Sequence, residues 1–317
     1  MTAAPPDVRA LLARHLPGRE ARSLVPVGQG LDNVAYEIDG ELIVRCAREP
    51  DPEATRAEVA VLAAVAPISP LPVPEVVFSD PEAGVIAYRR LPGRPLHRHP
   101  VADPLRLAEP LGAFLGALHA VPPAPLGELV PLDRYPLADL REEAAQEYEA
   151  VAARVPPEHR RLVEDFLAAD PPADPPADPL ADPLADPLAD PPVDPLAESP
   201  EQAAAGTAGP RLCHNDLGAE HLLAGPGTGT LTGVIDWTDA ALTDPARDFA
   251  RVYRDLGPEV YELTLAHYDG RLDDAATGRV RFLACCALVE DLAHGLGPGP
   301  RHYADAALAH LVRTFTG

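Results

Sequence analysis

The chain contains no lysine: all 26 basic residues are arginine, so any fixed side-chain cation in a site must be a guanidinium. Long apolar runs are missing too. No stretch of about 18 apolar residues occurs, which argues against a membrane-spanning helix. Residues 1–16 carry Arg9 and Arg14 within an amphipathic pattern of Val8, Leu11, Leu12 and Leu16, without the unbroken apolar core of a secretion signal. A cytoplasmic location is the expectation. Cysteine is scarce: Cys46, Cys213, Cys285 and Cys286 fall at no metal-ligand spacing, and the adjacent pair cannot easily bridge to itself. They are expected to be reduced, buried and hydrophobic in behaviour. Excess positive charge is also absent. A formal net charge of −23 argues against nucleic acid and anionic membranes as partners, since both require a basic patch to displace counterions.

What is present is enough apolar material for a substantial core, 46% of 317 residues, and two acidic motifs. The apolar runs Arg211–Cys213 and Leu231–Ile235 each deliver an aspartate into the segment that follows. The first motif reads Cys213-His-Asn-Asp216-Leu-Gly-Ala-Glu-His221, and the second reads Gly-Val-Ile-Asp236-Trp-Thr-Asp239. Two carboxylates so delivered suit phosphoryl transfer. One accepts the proton of an attacking hydroxyl, while the other holds a metal that neutralises nucleotide phosphates, because positioning and charge stabilisation supply most of that catalysis. Either aspartate alone would read more simply as a strand or turn cap; the pair, with His214, His221 and Trp237, does not.

His214-Asn-Asp216 with His221, then Ile235-Asp236-Trp237 and Asp244-Pro-Ala-Arg-Asp248-Phe, resembles the aminoglycoside and macrolide phosphotransferase family over most of the chain. The resemblance implies an α+β, protein-kinase-like fold with a small antiparallel β N-lobe carrying one helix and a larger, mostly helical C-lobe. It also implies ATP or GTP as co-substrate, Mg2+, and a hydroxyl acceptor that is a small, cationic molecule. An aminoglycoside is the first expectation for that acceptor and a macrolide the second. An amino-alcohol or sugar kinase is the metabolic alternative, and a catalytically silent nucleotide-binding module the alternative of another class. A monomer is expected. Asp216 is the expected base. Asp236 and His221 are the expected metal-site residues, His221 standing where many relatives of this fold place asparagine. Arg45 falls at the place of the strand lysine, with Glu58 as its partner on the next helix. Gly28 and Gly30 form the expected phosphate-approach turn, and Tyr88, Arg89, Arg90 and Leu91 the base pocket. Asp239, Glu290 and Asp291 are candidates for the acceptor. His214, Trp237, Asp244 and Asp248 are expected to be structural.

The pattern along the chain divides at residue 91. Val34, Tyr36 and Ile38, then Leu42 and Val44, alternate about Asp39-Gly40, a hairpin signal. A helix is expected at Glu53–Ala66 behind Asp51-Pro52, with strands at Val73–Phe78 and Val85–Leu91. Residues 1–91 therefore read as the nucleotide-binding lobe. From 92 to 317 helices dominate, around Leu107–Leu118, Leu137–Arg154, Glu158–Ala169, Ala246–Leu256, Glu259–His267, Asp274–His294 and Tyr303–Phe315. A hairpin turning at Gly225–Gly229 interrupts them. At about 170–209 lies an Asp-Pro insert, with aspartate at 170, 174, 178, 182, 186, 190 and 194, each followed by proline. Such a repeat is expected to be extended and solvated. Removal of Asp174–Asp194 is expected to leave stability and activity nearly unchanged.

Overall fold

The computed structural model describes residues 7–29, 33–123, 126, 130–175, 209–227 and 229–317. Gly30 and most of the Asp-Pro insert lie outside the described residues, as does Thr228 in the expected Gly225–Gly229 turn. The N-terminal part is a five-stranded antiparallel sheet in the order β1-β2-β3-β5-β4, built from β1 (Leu24–Gln29), β2 (Asn33–Ile38), β3 (Leu42–Ala47), β4 (Val76–Asp80) and β5 (Val85–Arg89). The β2–β3 hairpin turns where expected. Asp39 and Gly40 both take positive φ, 54° and 74°, and Ile38 C=O accepts from Glu41 N–H, the twist a two-residue hairpin favours.

The strand ends differ from the sequence reading for local reasons. β4 begins at Val76 rather than Val73, because Pro74 has no N–H to give a ladder. β5 stops at Arg89 rather than Leu91 because its partner β3 begins opposite it, at Leu42. Gly28 is a further correction: it lies within β1, opposite Ala35 and beside a bulge, rather than in the turn. A helix not foreseen as such, α1 (Val8–His15), packs Val8, Leu11 and Leu12 into a cluster with Ile38, Leu42, Val44 and Val85 of the sheet.

Helix α2 (Pro52–Val65) starts as expected. Asp51 accepts from Glu53 N–H and Ala54 N–H, Pro52 fills the first turn where no donor is missed, and Val61, Leu62 and Val65 turn inward. Beyond it come a short β6 (Arg94–Pro95), α3 (Ala108–His119), α4 (Leu137–Val151) and α5 (Pro157–Ala168). β6 joins β8 (Leu222–Ala224) and β9 (Leu231–Val234), while β7 (Arg211–Cys213) pairs with β10 (Ala241–Thr243). Helices α6 (Ala246–Leu256), α7 (Pro258–Ala266), α8 (Ala276–Leu296) and α9 (Arg301–Thr316) complete the chain. The long α8 is buried along most of its length and packs against α4, α6 and α9, forming the centre of the helical part.

One end of the insert does structural work. Leu137 N–H, in the first turn of α4, donates to Asp174 Oδ1 at 2.9 Å, and Pro136 at the cap position offers no side-chain acceptor of its own. Asp174 thus caps a helix 37 residues earlier in the chain, which corrects the expectation that 174–194 can be removed without cost. Asp174→Ala is expected to lower stability by about 1 kcal/mol, the usual cost of a lost cap. Urea denaturation measures it. An unchanged midpoint would mean that the contact contributes nothing.

Candidate active site

β7 and β10 pair with Cys213 opposite Ala241, which carries the segment after β7 towards the one after β9. The first of these is pinned from α6. Asp248 is wholly buried, its Oδ1 accepts from Asn215 N–H at 2.7 Å, and its Oδ2 accepts from His214 N–H at 3.0 Å and lies 3.1 Å from His119 Nε2. His119 and Cys213 offer ligand atoms beside Asp248, but both oxygens of that carboxylate are already spent on these bonds. His214 is also fully buried; its Nε2–H donates to Ile235 C=O at 3.0 Å, tying the first motif to the second, and burial holds its pKa below the ordinary value. Trp237 packs tilted against His214 and edge-on to Phe114 in the core. The side chains of Asp248, His214 and Trp237 are all buried and engaged in bonds or packing within the fold. Asn215 and Asp236 both take left-handed backbone, φ 67° and 61°, a conformation that Asn and Asp tolerate better than most residues.

Between the motifs sits His221. Its Nδ1–H donates to Asp216 C=O at 2.8 Å and lies 3.3 Å from Asp216 Oδ2, while Nε2 faces Asp236 Oδ2 at 3.8 Å. One imidazole therefore bridges two carboxylates that are twenty residues apart in sequence. Burial pulls the His221 pKa down, but Asp216 and Asp236 outweigh it and raise it above the usual value. Burial likewise pushes both carboxyls up, and the cations prevail: Arg251 and His221 hold Asp216 below the ordinary range, Arg45 and His221 hold Asp236 there. Both acids remain ionised near neutral pH. Asp236 keeps 38% of its side chain exposed, and its carboxylate oxygens beside the His221 imidazole form a donor set that could hold a divalent cation.

The sheet contributes Arg45, which is buried and bonded to Glu58, to Thr238 and, at 2.7 Å, to Asp236 Oδ1. The expected pair with Glu58 is present, and the contact with Asp236 is additional. Tyr88 is half-buried near this cluster, and burial raises its phenol pKa. Arg89 and Arg90 point elsewhere: their guanidiniums pair with Glu75 at 3.1 Å and Glu37 at 2.7 Å, and their N–H groups donate to the carbonyls of Glu75 and Glu41. Those two amides are thus already in use. Leu91 packs on Gly233, where an added Cβ would come within 2.6 Å of Leu91 Cδ1.

Asp216 and His221 also line a cavity of about 870 Å³, with Leu96, Val101 and Leu107 on one side and Tyr303 and His310 of α9 on the other. Glu290 and Asp291 line it as well. Asp239 is not among its lining residues; it is exposed on the loop beside Asp236.

A phosphotransferase enzyme family model matches residues 23–283, most of the chain. The chain belongs to that family. Solved structures share the fold at low identity. The GDP and kanamycin complex of APH(2")-IIia is 20% identical with a TM-score of 0.65, covering 96% of this chain and 97% of that one. The macrolide 2'-phosphotransferase MphH from Brachybacterium faecium, as apoenzyme, is 24% identical with a TM-score of 0.57, covering 96% of each chain. Among curated sequences, the uncharacterized protein YcbJ of Bacillus subtilis (strain 168) is 38% identical over 58 residues, 18% of this chain and 19% of that protein. The sheet followed by helices is therefore the kinase-like fold of this phosphotransferase family.

Sequence reasoning missed the arginines of α6. In this chain Arg251 Nε lies 3.3 Å from Asp216 Oδ1, and Arg254 pairs with Asp255 at 2.6 Å and with Asp291 at 3.0 Å. Gly218 makes room for the second pair; a Cβ there would lie 2.8 Å from Asp255 Oδ2. The signal was available in the spacing. Asp248, Arg251 and Asp255 recur at intervals of three and four, so one face of α6 addresses the loop that carries Asp216.

Asp291 offers a pH test. Burial pushes its carboxyl up to about 6 in spite of Arg254. The folded chain then holds this proton more tightly than the unfolded one, where aspartate titrates near ~3.9, so stability falls as pH rises from ~4 to about 6 and stays lower above. The penalty is on the order of 1–2 kcal/mol once screening at this partly exposed group is allowed for. Asp291→Asn is expected to melt with the wild type at pH 4 and above it at pH 7.5, Arg254 keeping Asp255 as partner. Melting curves that coincide at both pH values would contradict the shift.

Proposed function

We propose that this chain moves the γ-phosphoryl group of ATP or GTP to a hydroxyl of a small molecule. The observation that carries the reading is the bridge Asp216–His221–Asp236, with Arg45 beside it. Asp216 opens onto a cavity and is ionised, as a base for an incoming hydroxyl must be. Asp236 and His221 would hold Mg2+, whose charge would screen the nucleotide phosphates. Arg45 supplies the cation for the phosphates in place of lysine, Glu58 orients it, and Gly28 lies on β1 of the same sheet. Tyr88 to Leu91 flank the base. A silent nucleotide-binding module fits less well, since the base, the metal-site pair and the phosphate cation all fall together.

Charge in the cavity bears on the acceptor. Of its five acidic residues, Asp216 faces Arg251 and His221, while Asp255 and Asp291 share Arg254. Glu220 and Glu290 are left without an arginine partner in those networks. Two carboxylates suit one or two ammonium groups rather than the several of an aminoglycoside, and the half-buried Val101 and Leu256 offer apolar surface. This favours a bulky acceptor with few amines, moving the macrolide class ahead of the aminoglycosides, with Glu290 nearer the acceptor than Asp239. The test is nucleoside diphosphate release across macrolide, aminoglycoside and amino-alcohol panels at low and high salt. Turnover confined to aminoglycosides, lost as salt rises, would restore the polyamine reading. No release with any acceptor, together with no slow hydrolysis, would reject the phosphotransfer reading.

A further inference from the structure

We infer that Arg251 is a catalytic residue whose guanidinium contacts the phosphoryl group as it passes to the hydroxyl held at Asp216. The inference rests on the phosphotransfer reading above and adds to it the source of positive charge on the acceptor side. Four other arginines stand near the bridge or the cavity, and none of them is paired with Asp216. Arg45 is enclosed by Glu58, Thr238 and Asp236. Arg254 is shared by Asp255 and Asp291, Arg313 donates to the carbonyls of Arg254 and Asp255, and Arg98 is exposed and bonded to His97. Arg251 differs. Its one ion-pair partner among the described residues is Asp216, reached through Nε, with Asp239 and Asp291 acting on it only from longer range, and its side chain is 23% exposed where it lines the cavity. The two Nη groups of its fork are therefore left over for another oxygen-rich partner.

The position of that partner follows from the reaction. An acceptor hydroxyl within ~2.6–3.2 Å of Asp216 puts its oxygen next to the group that Arg251 already touches. Asp216 takes the hydroxyl proton, and the hydroxyl oxygen bonds to the γ-phosphorus. The bond from that phosphorus to the β–γ bridging oxygen breaks, and the nucleoside diphosphate leaves with the electron pair. Arg251 stays protonated throughout. Negative charge on the three equatorial oxygens of the phosphoryl group is best met by a donor already in place, and a forked guanidinium meets two of them at once. No lysine exists in the chain to do it.

The experiment compares wild type, Arg251→Gln and Asp216→Asn for binding of ADP or GDP with Mg2+, alone and with aluminium fluoride, a mimic of the transferring phosphoryl group. Arg251 makes one partly exposed ion pair, so the glutamine variant should fold, which its melting curve checks. Expected for Arg251→Gln is diphosphate affinity within a few-fold of wild type, with fluoride-complex affinity and plateau kcat both lower by about 10²–10³. Asp216→Asn should lose turnover yet keep the fluoride complex. A second readout needs no variant: modification of Arg251 by phenylglyoxal, located by peptide mass, should be slowed by the fluoride complex and not by the diphosphate alone. Undiminished fluoride-complex affinity in Arg251→Gln, or equal modification rates, would overturn the contact and leave Arg251 as a positioning residue for Asp216. A wild type that neither forms the fluoride complex nor turns over would instead overturn the phosphotransfer reading, a separate result.

Discussion

Asp216→Asn is expected to bind nucleotide as the wild type does while kcat falls about 10²–10⁴-fold, the range for loss of a positioned base. Asparagine keeps the shape of the side chain and removes the charge, so the loop pinned by Asp248 through His214 and Asn215 should not move. Two neighbours will respond. Arg251 and His221 both lose their counter-charge at this carboxylate, and the His221 pKa, raised by Asp216 ahead of Asp236, should drop towards its ordinary value. A histidine titration followed by NMR would therefore report the substitution independently of turnover. Asp236→Asn should behave differently, weakening metal-dependent nucleotide binding as well, because its carboxylate is the one beside both Arg45 and His221 Nε2. Near-wild-type turnover by Asp216→Asn with a defined acceptor would remove it as the base.

Much of this arrangement was legible in the sequence because the informative residues are close together in the chain. The spacing of His214, Asp216 and His221 fits one loop, and Asp236 follows an apolar strand, so local pattern suffices to place the bridge. The Asp39-Gly40 turn and the Asp51-Pro52 helix start are local for the same reason. What sequence did not give is pairing over distance. Nothing near Arg45 says that its fork also reaches Asp236, 191 residues on, and nothing near Pro136 says that α4 takes its cap from Asp174. The acceptor expectation suffered from the same gap. Asp291 read as a free carboxylate on a helix face, and only the fold brings Arg254 against it, changing the charge the cavity offers a ligand.

Arg45→Ala is the substitution expected to cost the fold most. Glu58 lies 6% exposed against Arg45, and removing one partner of a buried pair leaves the other charge uncompensated, at about 3–5 kcal/mol. Asp236 and Thr238 lose a donor at the same time, so nucleotide KM should rise and kcat should fall together. The double variant Arg45→Ala, Glu58→Ala should regain part of the stability, since no buried charge is then left alone, and none of the activity. Arg45→Lys separates the two contributions of arginine. Lysine keeps the positive charge, but a single ammonium cannot span Glu58 and Asp236 as the fork does. It is therefore expected to recover most of the stability and only part of the turnover. Urea denaturation with steady-state kinetics on the four proteins decides the matter. An alanine variant with the wild-type midpoint and KM would show that this arginine neither braces the sheet against the second motif nor meets the phosphates.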